Sequence, residues 1–330
     1  MRLHALEHLH PIWFVPVMGL SGLTLAWWRA APLLGPWADA VGQGLSVLVA
    51  LVFALVLLAS GLRAWQHPQA WRADAAHPVR HVFLAAISVS TILVATLAAR
   101  LLGPLPLVKG LWMLGASAQA MLTLWVLSRW LRPGAQGAAL WPGVTPGLLI
   151  PVVGNVLAPL GAVPLGLPLW GAAQLGLGVV LWPLVLALLW VRIGVAGLWP
   201  ERMRPSVFVL IAPPAVTGVA ILPLGAPLEL SAVLWGVALF FTVLALLSLR
   251  RCLALPFGMP MWSLSFPLAS FAALTLRLAE GADPLMQGLA VLALGFATVV
   301  IAALVLATLR GLWRADLLVP EPAPPAPVKP

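Results

Sequence analysis

The stretch PSVFVLIAPPAVTGVAILPLGAPLELSAVLWGVALFFTVLALLSL, residues 205–249, decides how this chain is read. Pro205 opens an apolar run over 206–223, interrupted by Pro213 and Pro214, and a second, smoother run follows over 228–249. Each run is about 20 residues, the length that crosses a hydrocarbon core of roughly 30 Å as a helix. The same unit recurs behind Pro11, Pro78, Pro146 and Pro260, roughly 60 residues apart, a period typical of repeat architectures. The remaining runs lie near 11–30, 39–62, 81–102, 107–130, 143–161, 166–191, 261–279 and 284–312. They are continuously apolar, without the alternation of a barrel strand, so helices are expected. The prediction is an all-α integral membrane protein, ten transmembrane helices as five two-helix hairpins. Hairpins repeated around an axis enclose a path through a bilayer, which points to transport.

Composition sets the same class. With 62% hydrophobic and 8% charged residues and a mean hydropathy of +1.05, this surface belongs in a membrane. The net charge of +9 is a topology signal rather than a nucleic-acid footprint, because the cations sort by side. Arg2, Arg63, Arg72, Arg80, Arg129, Arg132, Arg192, Arg202, Arg204, Arg250, Arg251, Arg310, Arg314 and Lys329 fall on one face. Arg29, Arg100, Lys109 and Arg277 fall on the other. The positive-inside rule then puts both termini in the cytoplasm, and the cell inner (cytoplasmic) membrane is the expected location. Three regions are expected: a short cytoplasmic segment 1–10, a transmembrane domain 11–312 and a proline-rich cytoplasmic tail 313–330. Glu7 and three histidines before the first run argue against a cleaved signal, so that run is expected to be retained. The single cysteine, Cys252, excludes an intrachain disulfide.

The two runs of each hairpin differ. Pro16 falls in the first run, Pro151 and Pro159 in the fifth, Pro213 and Pro214 in the seventh, and Pro267 in the ninth; Pro183 in the sixth is the exception. An internal proline removes a helix hydrogen bond, at about 3 kcal/mol, so kinked helices belong inside the bundle or along a wet cavity. The third run has no proline but carries Ser88, Ser90, Thr91 and Thr96. Small or weakly polar residues recur on the other odd runs: Gly19, Ser21, Gly22 and Thr24; Gly154 and Asn155; Thr217 and Gly218; Ser263, Ser265 and Ser270. Any one of them serves close packing; as a set on the proline-bearing runs, they predict an inner ring of odd helices and an outer ring of even ones. The pore-lining and kink candidates are Pro16, Gly19, Ser88, Thr91, Pro151, Asn155, Pro213, Pro214, Thr217, Ser263 and Pro267, with Asn155 the strongest polar donor expected at the wall.

No ionisable residue is expected at mid-membrane level, which argues against a proton-coupled carrier, since such a carrier keeps a titrating group in its path. The histidines His4, His8, His10, His67, His77 and His81 lie at or beyond the run ends. His4 and His8 have helical metal-pair spacing but no third ligand, so no metal is expected. Asp74, His77 and His81 are the nearest thing to a polar constellation, and the HPVR run at 77–80 reads equally as a helix anchor at the mouth, through His77 and Arg80. No phosphate-binding glycine loop is present. No enzyme activity, cofactor or nucleic-acid partner is expected.

Taken together, LTLAWW at 23–28, HPVR at 77–80, PVVGN at 151–155, IAPPA at 211–215 and WSLSFPLAS at 262–270 resemble the bacterial TehA family of tellurite-resistance and C4-dicarboxylate transport proteins. The plant guard-cell slow anion channels belong to the same superfamily. The resemblance covers nearly the whole transmembrane region. It implies quasi-fivefold hairpin symmetry, a pore within each protomer, a homotrimer, and a pore occluded by a phenylalanine on the ninth helix. Leu264, Ser265, Phe266 and Pro267 match that context, so Phe266 is the implied gate. The chain departs from the pattern at Leu264, where an aromatic is usual, in the missing proline of the third run, and in lacking long tails that would receive kinase signals.

The function expected is gated or passive permeation of small inorganic or organic anions through a neutral pore. Kinked backbone, wall hydroxyls and mouth arginines would supply selectivity. A proton-coupled dicarboxylate, tellurite or sulfite transporter and a non-transporting scaffold are the alternatives.

Overall fold

The computed structural model describes residues 3–131 and 141–320. The proline-rich tail from 321, Arg2, Arg132, Lys329 and the side chain of His4 lie outside the described residues. Nine helices among the described residues are long and apolar enough to cross a membrane: α1 (Pro11–Leu34), α2 (Pro36–Gln66), α3 (Arg80–Leu102), α4 (Pro106–Leu131), α6 (Pro168–Ala196), α7 (Glu201–Leu224), α8 (Leu228–Leu246), α9 (Met259–Ala279) and α10 (Pro284–Trp313). Between α4 and α6 runs a shorter apolar helix, α5 (Pro146–Ala162). It lies on the run expected over 143–161 but is shorter than each of the other nine helices. The α-helical turns of α5 stop at Val156 and resume at Ala158, just before Pro159, leaving two pieces, Leu149–Val156 and Ala158–Ala162.

The prolines act differently from the expectation. Each odd helix opens as a 3₁₀ segment and widens into α-helix at one junction: after Phe14, Leu84, Leu148, Ile211 and Leu264. Pro16, Pro151, Pro213, Pro214 and Pro267 fall in the first turn of the α-helical part. First-turn amides have no carbonyl four residues back, so a proline there costs little and presets φ. These prolines mark a change of helix type rather than a broken helix. α3 makes the same transition with no proline at all, so the junction belongs to the packing of the inner helices. Pro183 sits inside α6.

The turn within each hairpin has its own device. After α1 the chain passes through Gly35 at φ +92°, a left-handed conformation that favours glycine, and Pro36 starts α2. Gly103, Gly166, Gly225 and Gly281 stand at the equivalent turns with φ between +72° and +87°.

Burial separates two layers. The apolar windows of α1, α3, α7 and α9 are 72% to 89% buried, and those of the even helices only 22% to 33%. α1 packs on α3, α3 on α5, α5 on α7, α7 on α9, and α9 back on α1. Each even helix lies against its own hairpin partner and against the next odd helix. The even helices present leucines such as Leu58, Leu184 and Leu292 outward, as a lipid-facing surface requires. Glycines set the closest approaches: a Cβ at Gly19 would overlap Ser265, and one at Gly178 of α6 would overlap Val156 of α5.

Interrupted α5 is tied to its neighbours by side-chain amides. The Pro151 carbonyl accepts from Gln119 Nε2 (2.6 Å), Thr123 Oγ1 (2.5 Å) and Asn155 Nδ2 (2.9 Å). Ser88 donates to Gln119 Oε1 (2.6 Å), and Gln174 Nε2 donates to Asn155 Oδ1 (3.1 Å) and to the Ala116 carbonyl (2.6 Å). A short irregular helix at membrane depth needs such internal partners, because lipid supplies none.

Candidate functional site

The interior of the odd-helix ring holds a cavity of about 350 Å³. All five odd helices wall it: Ile12, Val15 and Met18 from α1; Phe83 and Val89 from α3; Leu149, Ile150, Val153, Gly154 and Leu157 from α5; Ser206, Val209 and Ala212 from α7; and Trp262, Ser263, Phe266 and Pro267 from α9. At the end where the odd helices begin, it is rimmed by His10, His77, Arg80 and Arg202. No lining residue lies beyond Met18 on α1, Val89 on α3, Leu157 on α5, Ala212 on α7 or Pro267 on α9. The cavity is therefore open at a basic mouth and ends at the level of Phe266. Its lining includes no Asp or Glu.

The floor is apolar and tightly packed. Phe266 is 6% exposed, and a Cβ added to Gly22 of α1 would stand 3.0 Å from its Cδ2 and 3.2 Å from the Ala269 Cβ. Gly22 thus lets α1 lie directly against the phenyl ring. Ser263, one turn toward the mouth, is partly exposed and lines the cavity.

The mouth is held by charge. Asp74, on the short helix Pro68–Ala76 between α2 and α3, is 1% exposed. Its Oδ1 lies 2.9 Å from His10 Nδ1 and 3.4 Å from Arg80 Nη1, and its Oδ2 lies 2.8 Å from Arg63 Nη1. Arg63, in the last turn of α2, is fully buried; it stacks over the Trp71 ring at 5.5 Å and donates from Nε to the Glu7 carbonyl at 3.1 Å. Burial by itself raises the Asp74 pKa, but the His10 hydrogen bond and the charges of His10 and Arg63 outweigh it and hold the carboxyl below the ordinary carboxylate range. The HPVR run folds as a helix start: His77 Nδ1 accepts from the amides of Val79 and Arg80, both at 3.1 Å. Arg129 of α4 donates to the carbonyls of Ala75 and Ala76, closing the short helix.

Of the gate, pore-lining, kink and mouth candidates read from the sequence, Phe266, Ser263, Pro267, His77 and Arg80 line this cavity, and the other candidates do not. Asn155, expected as a wall donor, is fully buried with its amide committed to Thr123, Pro151 and Gln174. Ser88 is engaged with Gln119 and the Ala85 carbonyl, Thr91 with the Ile87 carbonyl, and Thr217 with the Pro213 carbonyl. Gly19 faces Ser265, while Pro16, Pro151, Pro213 and Pro214 mark the helix-type junctions. Asp74 does not join His77 and His81; its partners are His10, Arg63 and Arg80, brought from three other segments. No group of three or more His, Cys, Asp or Glu suited to a metal occurs among the described residues. Sequence reasoning missed Gln119, Gln174 and Arg63. Two amides and a guanidinium in otherwise apolar runs are the signal that marks them, because such groups need partners in lipid.

Apolar helices around a shared interior, with a basic mouth leading to it, define a multi-pass membrane protein with an internal cavity. The family model for the SLAC1 voltage-dependent anion channels matches residues 8–310. The chain belongs to that family. It is also 28% identical over 307 residues to the tellurite resistance protein TehA homolog of Haemophilus influenzae, covering 90% of this chain and 89% of that protein.

Proposed function

We propose that this protein is a gated anion channel or passive anion transporter whose path follows the common interior of the five odd helices, with Phe266 as the occluding side chain. The cavity carries this reading: it is walled by all five odd helices, rimmed by guanidinium and imidazole groups, free of carboxylates along its lining, and ended at Phe266. In this reading α5 is the tenth span, the hairpins are related by quasi-fivefold symmetry, and protomers assemble as a homotrimer with one pore each. The positive-inside distribution supports a cytoplasmic mouth, cytoplasmic termini and an inner-membrane location. No catalytic step, metal or cofactor is assigned.

Arg80 and Arg202 raise the local anion concentration, and a phenyl ring in a narrow apolar neck blocks hydrated ions until it turns aside. Selectivity then follows dehydration cost, with the Ser263 hydroxyl as the wall group nearest the gate, a role the sequence alone assigned to Asn155. Chloride, nitrate, sulfite, tellurite and C4-dicarboxylates are the anions to compare. The test is anion flux at set voltage into liposomes containing wild type or Phe266→Ala, with and without a pH gradient. Larger, pH-gradient-independent flux in the variant supports the gate. Flux that requires the gradient identifies a proton-coupled carrier, and absence of flux in both folded forms identifies a scaffold.

A further inference from the structure

Asp74 is a buried acid that the permeation reading leaves without a role. One carboxylate is shared by two guanidiniums and an imidazole: Arg63 on Oδ2 at 2.8 Å, and His10 and Arg80 on Oδ1 at 2.9 Å and 3.4 Å. Two of these three partners, His10 and Arg80, also rim the cavity. Arg80 Nη1 additionally lies 3.4 Å from both ring nitrogens of His10. The carboxylate itself is not among the lining residues, so it stands behind the mouth cations.

A guanidinium at a pore mouth carries a risk for conduction. If it binds the entering anion tightly, it captures that anion instead of passing it on, and conduction needs sites that bind weakly enough to leave. We infer that Asp74 is a positioning residue for anion entry: its carboxylate tethers Arg80 and His10 at the mouth and competes with the entering anion for the Arg80 guanidinium. The mouth then attracts anions without trapping them. Arg63, fully buried on the far oxygen, fixes the carboxylate in place and does not touch the path. Arg202 also rims the cavity and has no ion pair among the described residues, so it supplies attraction that Asp74 does not moderate.

This inference rests on the channel reading, and its test separates the two. Single-channel current would be recorded in planar bilayers, in the Phe266→Ala background, with chloride varied on the mouth side only. Asp74→Asn keeps the shape and removes the charge. It is expected to lower the half-saturating chloride concentration by about threefold or more, since a unit charge a few ångströms from the site is removed, and to lower the saturating current. Asp74→Glu is expected to recover part of both. Arg80→Gln is expected to raise the half-saturating concentration, and the double variant to behave like Arg80→Gln alone, because Asp74 acts through Arg80. A purely structural Asp74 would reduce the number of active channels without moving the concentration dependence, which would overturn the inference. If Asp74→Asn does not fold, an Arg80→Gln channel with unchanged half-saturation overturns it equally. Absence of current in both wild type and Phe266→Ala overturns the channel reading instead.

Discussion

The two ends of the cavity are built by opposite means. The mouth is a cross-link of charges drawn from the N-terminal segment, the end of α2, the short helix after it and the start of α3, all meeting at Asp74. The floor has no charge; Phe266 is held by shape, with Gly22 allowing α1 to close on the ring. Charge acts over several ångströms and suits attraction, whereas a close-packed ring acts only on contact and suits occlusion. In the proposed reading, separating the two would let the protein attract anions without stabilising them at Phe266.

The largest effect is expected at the floor. Phe266→Ala should raise voltage-driven anion flux by about tenfold or more, since it removes the occluding ring in a pore gated by a hydrophobic constriction; unchanged flux in a folded variant would break the contrast between mouth and floor. Next comes packing around that floor. Gly19→Ala should lower stability by about 1–3 kcal/mol, the usual cost of overpacking, read as a fall in thermal midpoint in detergent. Gly22→Ala, with its looser 3.0 Å approach to Phe266, should cost less stability yet increase leak by displacing the ring. A comparable stability loss without any change in flux is expected behind the wall. Gln119→Ala strips a donor from the Pro151 carbonyl and a partner from Ser88, at about 1–3 kcal/mol for buried groups left unpaired. An altered anion preference in this variant would show that the network reaches the path.

The smallest effect belongs to pH. The Asp74 carboxyl titrates below the ordinary carboxylate range, so its contribution to folding is present above the unfolded-state pKa and is lost only as pH falls through the lowered folded-state value. The thermal midpoint of Asp74→Asn should therefore lie below that of wild type throughout pH 7 to pH 5, and the gap should close only in stronger acid. A gap already closing near pH 6 would show that Asp74 is not the group holding the mouth together.

Much of this architecture was legible in the chain because lipid imposes a simple demand. A continuously apolar run in lipid must pair its own backbone polar groups and so forms a helix, and an apolar length of about 20 residues is enough to span. The recurring proline correctly marked the odd helices, and the inner and outer layers followed from where small and polar residues fell. The role of several prolines was misread: Pro16, Pro213 and Pro267 lie at a change from 3₁₀ to α-helix, as α3 shows by making the change without one. Asn155 was misplaced for a related reason. Period and composition say that a helix carries an amide, but which neighbour the amide meets depends on helix rotation, and here it turns toward Thr123 and Gln174.

The sequence by itself determined that this is a multi-pass helical membrane protein, roughly where its apolar runs lie, and how its cations group along the chain. Those properties follow from transfer free energies and charge counts, which are local and additive. The tertiary structure alone decided which side chains share the interior. The gathering of His10, Arg63 and Arg80 on Asp74, and the closure of α1 on Phe266 through Gly22, depend on the rotation and approach of helices far apart in the chain. No local rule fixes those rotations, because they minimise the packing of all the helices together.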